Sequence, residues 1–140
     1  MAPARSRSRA VTPPFADGSL PAVVAVMVHT DMPAYPAVLR EVARVLAPGV
    51  VFVHVGVHPC FCGGFADRSD ERAVVIRPGY REAGWTTTSW TDQGLRDKVR
   101  AAHLSLPELL HAVLGAGLTF ERFAEGGEPS LMVLAWRARN

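Results

Sequence analysis

The sequence predicts an α/β domain whose sheet is parallel at one end and antiparallel at the other. Two patterns support this prediction. A strand, an amphipathic helix and a second strand follow one another over residues 22–57, which is the order of a βαβ unit. A second amphipathic helix and two strands joined by a short glycine turn occupy residues 105–137, and so short a connection makes those two strands antiparallel.

The βαβ unit begins with Ala22–Val28, a continuous apolar run that is typical of a strand buried on both faces. From Tyr35 to Leu46 the apolar residues recur at helical spacing and form a single stripe. We expect Asp31 to cap this helix and Pro48-Gly49 to end it. Val50–Val57 is the second strand, parallel to the first through a right-handed crossover.

Residues 58–104 have no clean hydrophobic period and are interpreted as a long excursion from the sheet. Within this segment, short strands are predicted near Ala73–Ile76 and Lys98–Ala102. Excursions of this length in a compact domain are usually functional or flexible.

The last helix has the clearest local signature in the chain. Ser105 and Glu108 form a capping-box pattern at its start, and Gly117 is well placed just beyond its end. Leu118–Phe123 and Leu131–Arg137 are predicted to be the two antiparallel strands, joined through a Gly-Gly pair.

The composition is that of one globular domain: 140 residues, of which 49% are hydrophobic and 20% charged. No run approaches the roughly 18 apolar residues of a membrane-spanning helix. Arg5, Arg7 and Arg9 lie in a segment without acids, and without them the remaining 12 basic and 13 acidic residues give a net charge of −1. We therefore predict a disordered Arg/Ser tail over residues 1–13, a single domain over 14–140, and neither nucleic acid nor membrane as a partner.

Cys60 and Cys62 are the only cysteines, and they are too close and too few for a disulfide framework. No apolar signal segment is visible at the N-terminus, so a cytoplasmic location is expected. Zinc takes about four ligands, and no second Cys/His cluster accompanies these cysteines and His58, so no metal site is predicted.

Several motifs, in order and spacing, resemble the C-terminal half of a class I S-adenosylmethionine-dependent methyltransferase of the methyltransferase domain 11 type. The segments that match family turns, strands and helices are Phe15–Leu20, Ala22–Val28, Leu39–Gly49, Val57-His58-Pro59 and Leu106–Gly117. The resemblance covers about residues 13–138 and implies a partial Rossmann-like sheet with an antiparallel C-terminal hairpin. It also implies S-adenosylmethionine as cofactor and a small molecule as methyl acceptor.

The sequence departs from the family pattern in ways that bear on the cofactor. Pro21 replaces an acidic residue before the first strand, and Val50 replaces the second glycine of a turn. The family's glycine-rich cofactor turn has no counterpart, since Gly115-Ala116-Gly117 ends a helix and does not open one. We therefore expect a domain truncated at its N-terminus that is inactive alone and does not bind S-adenosylmethionine with useful affinity.

Candidate site residues follow from position and from the resemblance. His29 and Thr30 end a parallel strand at its carboxyl edge, where open α/β sheets bind ligands, and the resemblance places Val28, His29 and Thr30 at the cofactor cleft. His29 and His58 are the weak candidates for a catalytic group. The substrate candidates are His58, Tyr80, Trp85 and His103, with residues 58–104 lying over the substrate side. The structural alternatives are a polar loop for His29, core packing for His58, a satellite hydrophobic cluster for Tyr80 and Trp85, and a surface histidine for His103.

Other functions stay open at the level of the sequence. The chain is either a fragment or truncated homologue of a small-molecule methyltransferase, or a non-catalytic interaction module, or half of a split methyltransferase completed by another chain. An unrelated α/β binding or hydrolase domain is a further alternative, although no G-x-S-x-G nucleophile motif occurs.

The first strand also predicts an interaction surface. If no strand pairs with its outer side, Ala22–Val28 exposes unpaired backbone groups on an apolar strand that has no charged residue. Self-association, or pairing with a complementing chain, is then expected through this edge. In the structure, Val24 and Val26 should be less covered than Val53 and Val55.

Overall fold

The computed structural model describes residues 13–86, 100–128 and 131–140. Residues 1–12 of the predicted Arg/Ser tail lie outside these ranges, as does the beginning of the predicted strand Lys98–Ala102. Neither helix of the described residues is long and apolar enough to cross a membrane.

The main sheet has four strands, β1 (Val23–Val26), β2 (Val51–Val57), β7 (Thr119–Gly126) and β8 (Val133–Arg139). Their order in space is β1-β2-β8-β7, with β1 parallel to β2 and the other two pairs antiparallel. Within the described residues, β1 is an outermost strand of this sheet. The predicted fold class, parallel strands followed by an antiparallel C-terminal hairpin, is confirmed.

In the part of the chain that the structure describes, two helices, α1 (Tyr35–Val45) and α2 (Leu106–Gly115), pack on the same face of this sheet. Alternation along the strands explains which side chains they cover, because successive residues of a strand point to opposite faces. On the covered face Phe52, Trp136 and Ala138 are buried against Leu39 of α1 and Leu109 of α2. The opposite face carries Val24 and Val26, which are exposed to solvent, and Val53 and Val55, which are half-buried.

The prediction that Asp31 caps α1 is wrong. Residues His29–Asp31 form a separate 3-10 turn, and the residue that precedes α1 is Ala34. The reason is Pro36, which has no backbone N–H and is tolerated only in the first turn of a helix. Its position makes Tyr35 the first helical residue and leaves Asp31 outside the helix.

Within its described residues, the excursion contains two small pairs of antiparallel strands. β3 (Ala66–Asp70) pairs with β4 (Ala73–Ile76), and β5 (Gly84–Thr86) pairs with β6 (Ala101–His103). The predicted strand at Ala73–Ile76 is confirmed, and β6 overlaps the end of the predicted strand Lys98–Ala102. β3 and β5 were not predicted, and the polar sequence Ala-Asp-Arg-Ser-Asp of β3 shows no strand pattern of its own.

The start of α2 agrees with the sequence. The capping box is formed, with the Ser105 backbone N–H donating to Glu108 Oε2 at 2.8 Å. The Ser105 hydroxyl donates to the same oxygen at 2.7 Å, and these hydrogen bonds hold the pKa of Glu108 below its usual range. At the other end Gly117 has a φ of +88°, the left-handed conformation that favours glycine after a helix.

Candidate functional site

The carboxyl ends of β1 and β2 bring several predicted site residues to one edge of the sheet. Met27, directly after β1, has a φ of +55°, which is uncommon for a residue with a side chain. Its N–H donates to the Val55 carbonyl of β2 at 2.7 Å, so the strained residue is held by the sheet. The chain then enters the 3-10 turn, where His29 and Thr30 are both buried. This edge is where the sequence predicted a ligand cleft.

A buried cluster of rings lies under this edge. His54 of β2 stacks on Trp136 of β8, with ring centroids 3.7 Å apart and planes inclined by 2°. Its Nδ1 is 2.7 Å from the Tyr35 hydroxyl, and its ring centroid is 5.1 Å from that of His29. A Cβ on Gly56 would lie 2.5 Å from His54 Nε2 and 2.6 Å from His29 Nδ1. Glycine at this position therefore leaves room for both imidazoles.

Burial keeps this cluster uncharged. Desolvation, with the nearby His29 as a lesser cause, lowers the pKa of His54 to about 3, and burial raises the pKa of Tyr35. Tyr35 therefore remains a neutral hydroxyl and His54 a neutral imidazole, and the two groups share the hydrogen bond at His54 Nδ1. A histidine with so low a pKa is a weak proton acceptor, so the role of His54 is to support the edge. Sequence analysis did not place His54 in the site.

His58, directly after β2, uses both of its ring nitrogens. The Cys60 backbone N–H donates to His58 Nδ1 at 3.2 Å. The proton of the neutral ring is therefore on Nε2, which donates to Glu125 Oε1 at 2.7 Å. The histidine is buried, whereas the Glu125 side chain is half exposed. His58 thus orients a carboxylate of the neighbouring hairpin.

The first cavity has a volume of about 360 Å³ and lies between the loops of the excursion and β6. Phe65, Trp85 and His103 form its aromatic walls. The ring centroids of Phe65 and His103 are 4.9 Å apart, and His103 Nε2 donates to the Tyr80 carbonyl at 2.6 Å. The Tyr80 hydroxyl accepts the Leu106 N–H at 2.9 Å, which ties this wall to the start of α2.

The structure brings most of the predicted residues together. Tyr80, Trp85 and His103 belong to the first cavity or its wall. His29, Thr30 and His103 also line a narrow gap of about 10 Å³ at the end of β1, and His103 lines both this gap and the first cavity. This gap has room for about one water molecule.

A second cavity, of about 420 Å³, lies between α2 and the β7–β8 hairpin. It includes His58 and Glu125 among mainly apolar residues. His58 is therefore separated from the other predicted substrate residues, with Tyr80 and the start of α2 between the two cavities. Glu125 was missed by the sequence analysis, since only the fold shows that it meets His58.

Within residues 13–86, 100–128 and 131–140, no three His, Cys, Asp or Glu side chains are grouped to hold a metal ion. Cys62 is buried, which raises the pKa of its thiol, and Cys60 Sγ lies 3.5 Å from the Tyr80 hydroxyl.

Comparison with known proteins gives the context of this site. The sequence model of a family described as "Methyltransferase domain" matches residues 5–54, and no curated protein matches the chain. An S-adenosylmethionine-dependent methyltransferase structure from Mesorhizobium loti is 20% identical, with a TM-score of 0.75. A putative enzyme of the same kind from Listeria monocytogenes is 14% identical, with a TM-score of 0.73. The chain has the fold of S-adenosylmethionine-dependent methyltransferases. The resemblance found in the sequence motifs is thereby confirmed.

A third structure with the methyltransferase fold is 1,6-didemethyltoxoflavin-N1-methyltransferase from Burkholderia thailandensis, with bound 1,6-didemethyltoxoflavin and S-adenosylhomocysteine. It is 16% identical, with a TM-score of 0.56, and the match covers 93% of this chain and 48% of that one. The first two matches cover 96% and 97% of this chain, and 68% and 72% of the methyltransferases from Mesorhizobium and Listeria. This chain thus spans about half to three quarters of the length of these three methyltransferase structures.

Proposed function

We propose that the chain is a fragment or truncated homologue of an S-adenosylmethionine-dependent methyltransferase that acts on a small molecule. The observation that supports this best is the first cavity, which shares His103 with the narrow gap at the carboxyl end of β1, in a sheet with the methyltransferase fold. Methyl transfer is a direct displacement, in which positioning of donor and acceptor does most of the work. An aromatic-walled cavity beside a strand end suits that requirement.

The predicted site residues have different roles in this proposed function. Trp85, His103 and the Tyr80 backbone form the acceptor wall, and Val28, His29 and Thr30 form the residual rim of the cofactor cleft. His29 is the candidate proton acceptor, because it lies at the strand end beside the gap that reaches His103. His58 is less suited to this task, because both of its ring nitrogens are already engaged.

The described residues do not by themselves fit S-adenosylmethionine. The turn between β1 and α1 has no glycine, and the backbone there is a 3-10 turn followed by two prolines around Tyr35. Gly115-Ala116-Gly117 lies at the end of α2, so its backbone N–H groups do not open a helix toward a ligand. We therefore propose that this chain alone has no useful affinity for the cofactor, and we derive no reaction step through it.

An NMR titration of the chain with S-adenosylhomocysteine tests the cofactor rim. We expect weak, millimolar binding, with shifts confined to the amides of Val28–Thr30 and their neighbours. Replacing His29→Ala should weaken these shifts, whereas the exposed His111→Ala of α2 should leave them unchanged. Micromolar binding would contradict the predicted lack of affinity. Absence of shifts at the end of β1 in a folded, millimolar sample would contradict its place in the cleft.

A second candidate function is an interaction module, or half of a split methyltransferase completed by a partner. The observation that favours it is the outermost position of β1, with Val24 and Val26 exposed. We propose that Ala22–Val28 mediates either self-association or pairing with a complementing chain. The cytoplasmic location stays a prediction of the sequence.

A further inference from the structure

The second cavity is an apolar groove that opens beside α2. Leu106 and Leu110 of α2 form one wall, and Phe123 and Leu134 of the β7–β8 hairpin form the other. Its volume of about 420 Å³ is within the range of small-molecule sites. Phe123 is half exposed, so the groove is accessible from solvent.

One charged group interrupts this apolar lining. Glu125 of β7 pairs in register with Leu134 of β8, on the face of the sheet that the helices cover. Its side chain is 49% exposed, so the carboxylate stays accessible to solvent, and the buried His58 holds one of its oxygens at the groove. The groove therefore combines apolar walls with an accessible negative charge.

His58 holds the carboxylate without neutralising it. Because Nδ1 accepts the Cys60 N–H, the ring is neutral when it donates Nε2–H to Glu125. Within the described residues, His58 is the one hydrogen-bond or ion-pair partner of Glu125. The pair keeps a net negative charge, and Glu125 Oε2 is the oxygen that His58 does not engage.

We propose that this groove binds an amphipathic amine, with its apolar part between α2 and the hairpin and its ammonium group on Glu125. The charge of the site selects a cation over a neutral or anionic molecule of the same shape. The apolar walls select an organic amine over a small inorganic cation. His58 is a positioning residue here, because it acts on the ligand only through Glu125.

The probe for this site is 4-phenylbutylamine, with 4-phenylbutan-1-ol and 4-phenylbutyrate as the neutral and anionic matches. Binding is followed by calorimetry and by the ring resonances of His58 and Phe123. We expect the amine to bind about tenfold more tightly than the alcohol, and the acid to bind least, because a hydrogen bond to a charged group is worth more than a neutral one.

Two variants distinguish the contribution of the Glu125 charge to binding from that of the apolar walls. Glu125→Gln should abolish the preference for the amine over the alcohol, whereas Glu128→Gln, an exposed glutamate of the same hairpin, should keep it. Phe123→Ala should weaken all three probes and leave their order unchanged. Circular dichroism and melting temperature identify folded variants, and Phe123→Ala keeps the test valid if Glu125→Gln does not fold.

Equal binding of amine and alcohol to the unaltered chain would overturn the proposal, as would tighter binding of the acid. It would also be overturned by the absence of binding up to the solubility of the probes, or by full preference for the amine in folded Glu125→Gln. None of these readouts depends on methyl transfer, so failure here leaves the proposed function untouched.

Discussion

At the scale of the residue, the burial of His54 makes the stability of the folded chain depend on pH. The unfolded chain binds a proton on this histidine below its ordinary pKa of 6.5, whereas the folded chain does not until about pH 3. The unfolded state therefore holds more protons between these values, and stability falls as the pH falls from 6.5 towards 3. Within this window, each unit by which the pH falls lowers the free energy of unfolding by about 1.4 kcal/mol for one group that is protonated only in the unfolded chain.

The variant His54→Phe tests this relation. The phenyl ring can still stack on Trp136, and loss of the hydrogen bond to Tyr35 lowers stability by an amount that does not depend on pH. Urea unfolding between pH 7 and pH 4 should show a shallower acid decline for His54→Phe than for the unaltered chain. His111→Gln, at an exposed histidine, should follow the unaltered chain. Parallel profiles for all three proteins would refute the shift at His54.

Some contacts of the site join residues that are far apart in the sequence, and these could not be predicted from individual positions. The strand-end rule identified His29 and Thr30, and the aromatic composition of the excursion identified Tyr80 and Trp85. The bond between His58 and Glu125 joins residues 67 positions apart and depends on strand register. The stack of His54 on Trp136 depends in the same way on the pairing of β2 with β8. No local pattern contains either contact.

At the scale of the element, predictions succeeded where the signal is local. The capping box at Ser105 and the glycine after α2 each depend on a few neighbouring residues, and the predicted antiparallel pairing of the last two strands is confirmed. The start of α1 was misplaced because Asp31 and Pro36 are competing signals, and the proline prevailed. β3 and β5 are formed by pairing with β4 and β6, and their own sequences do not specify a strand.

The capping box gives a prediction for α2. Ser105→Ala removes the hydroxyl that donates to Glu108 and should destabilise the chain by about 1 kcal/mol. Ser19→Ala is the matched control, because its hydroxyl donates to the Ala16 carbonyl in an exposed turn. The control should change stability by less than about 0.5 kcal/mol. Chemical denaturation measures both, and equal losses for the two variants would show that the box adds nothing specific.

At the scale of the whole molecule, the helices of the described residues cover one face of the sheet. Both helices lie on the side of Phe52 and Trp136, while Val24 and Val26 are 62% and 54% exposed. Val53 and Val55, one strand further in, are half-buried, so the predicted difference in coverage is confirmed. β1 thus combines an outer edge with an apolar face, and it has no charged residue to discourage pairing.

Self-association through this edge follows, and one charge should prevent it. The unaltered chain should show a mass that rises with concentration in light scattering, because no strand of the described residues pairs with the outer side of β1 and its valines are exposed. Val24→Lys places an ammonium group on this strand and should return the chain to a monomer at the same concentration. Since Val24 is exposed, the change should alter stability by less than about 0.5 kcal/mol. Val75→Lys is the matched control, because Val75 is an exposed valine on β4, in a different sheet. If the unaltered chain is a monomer at high concentration, or if both lysine variants dissociate it equally, association does not occur through β1.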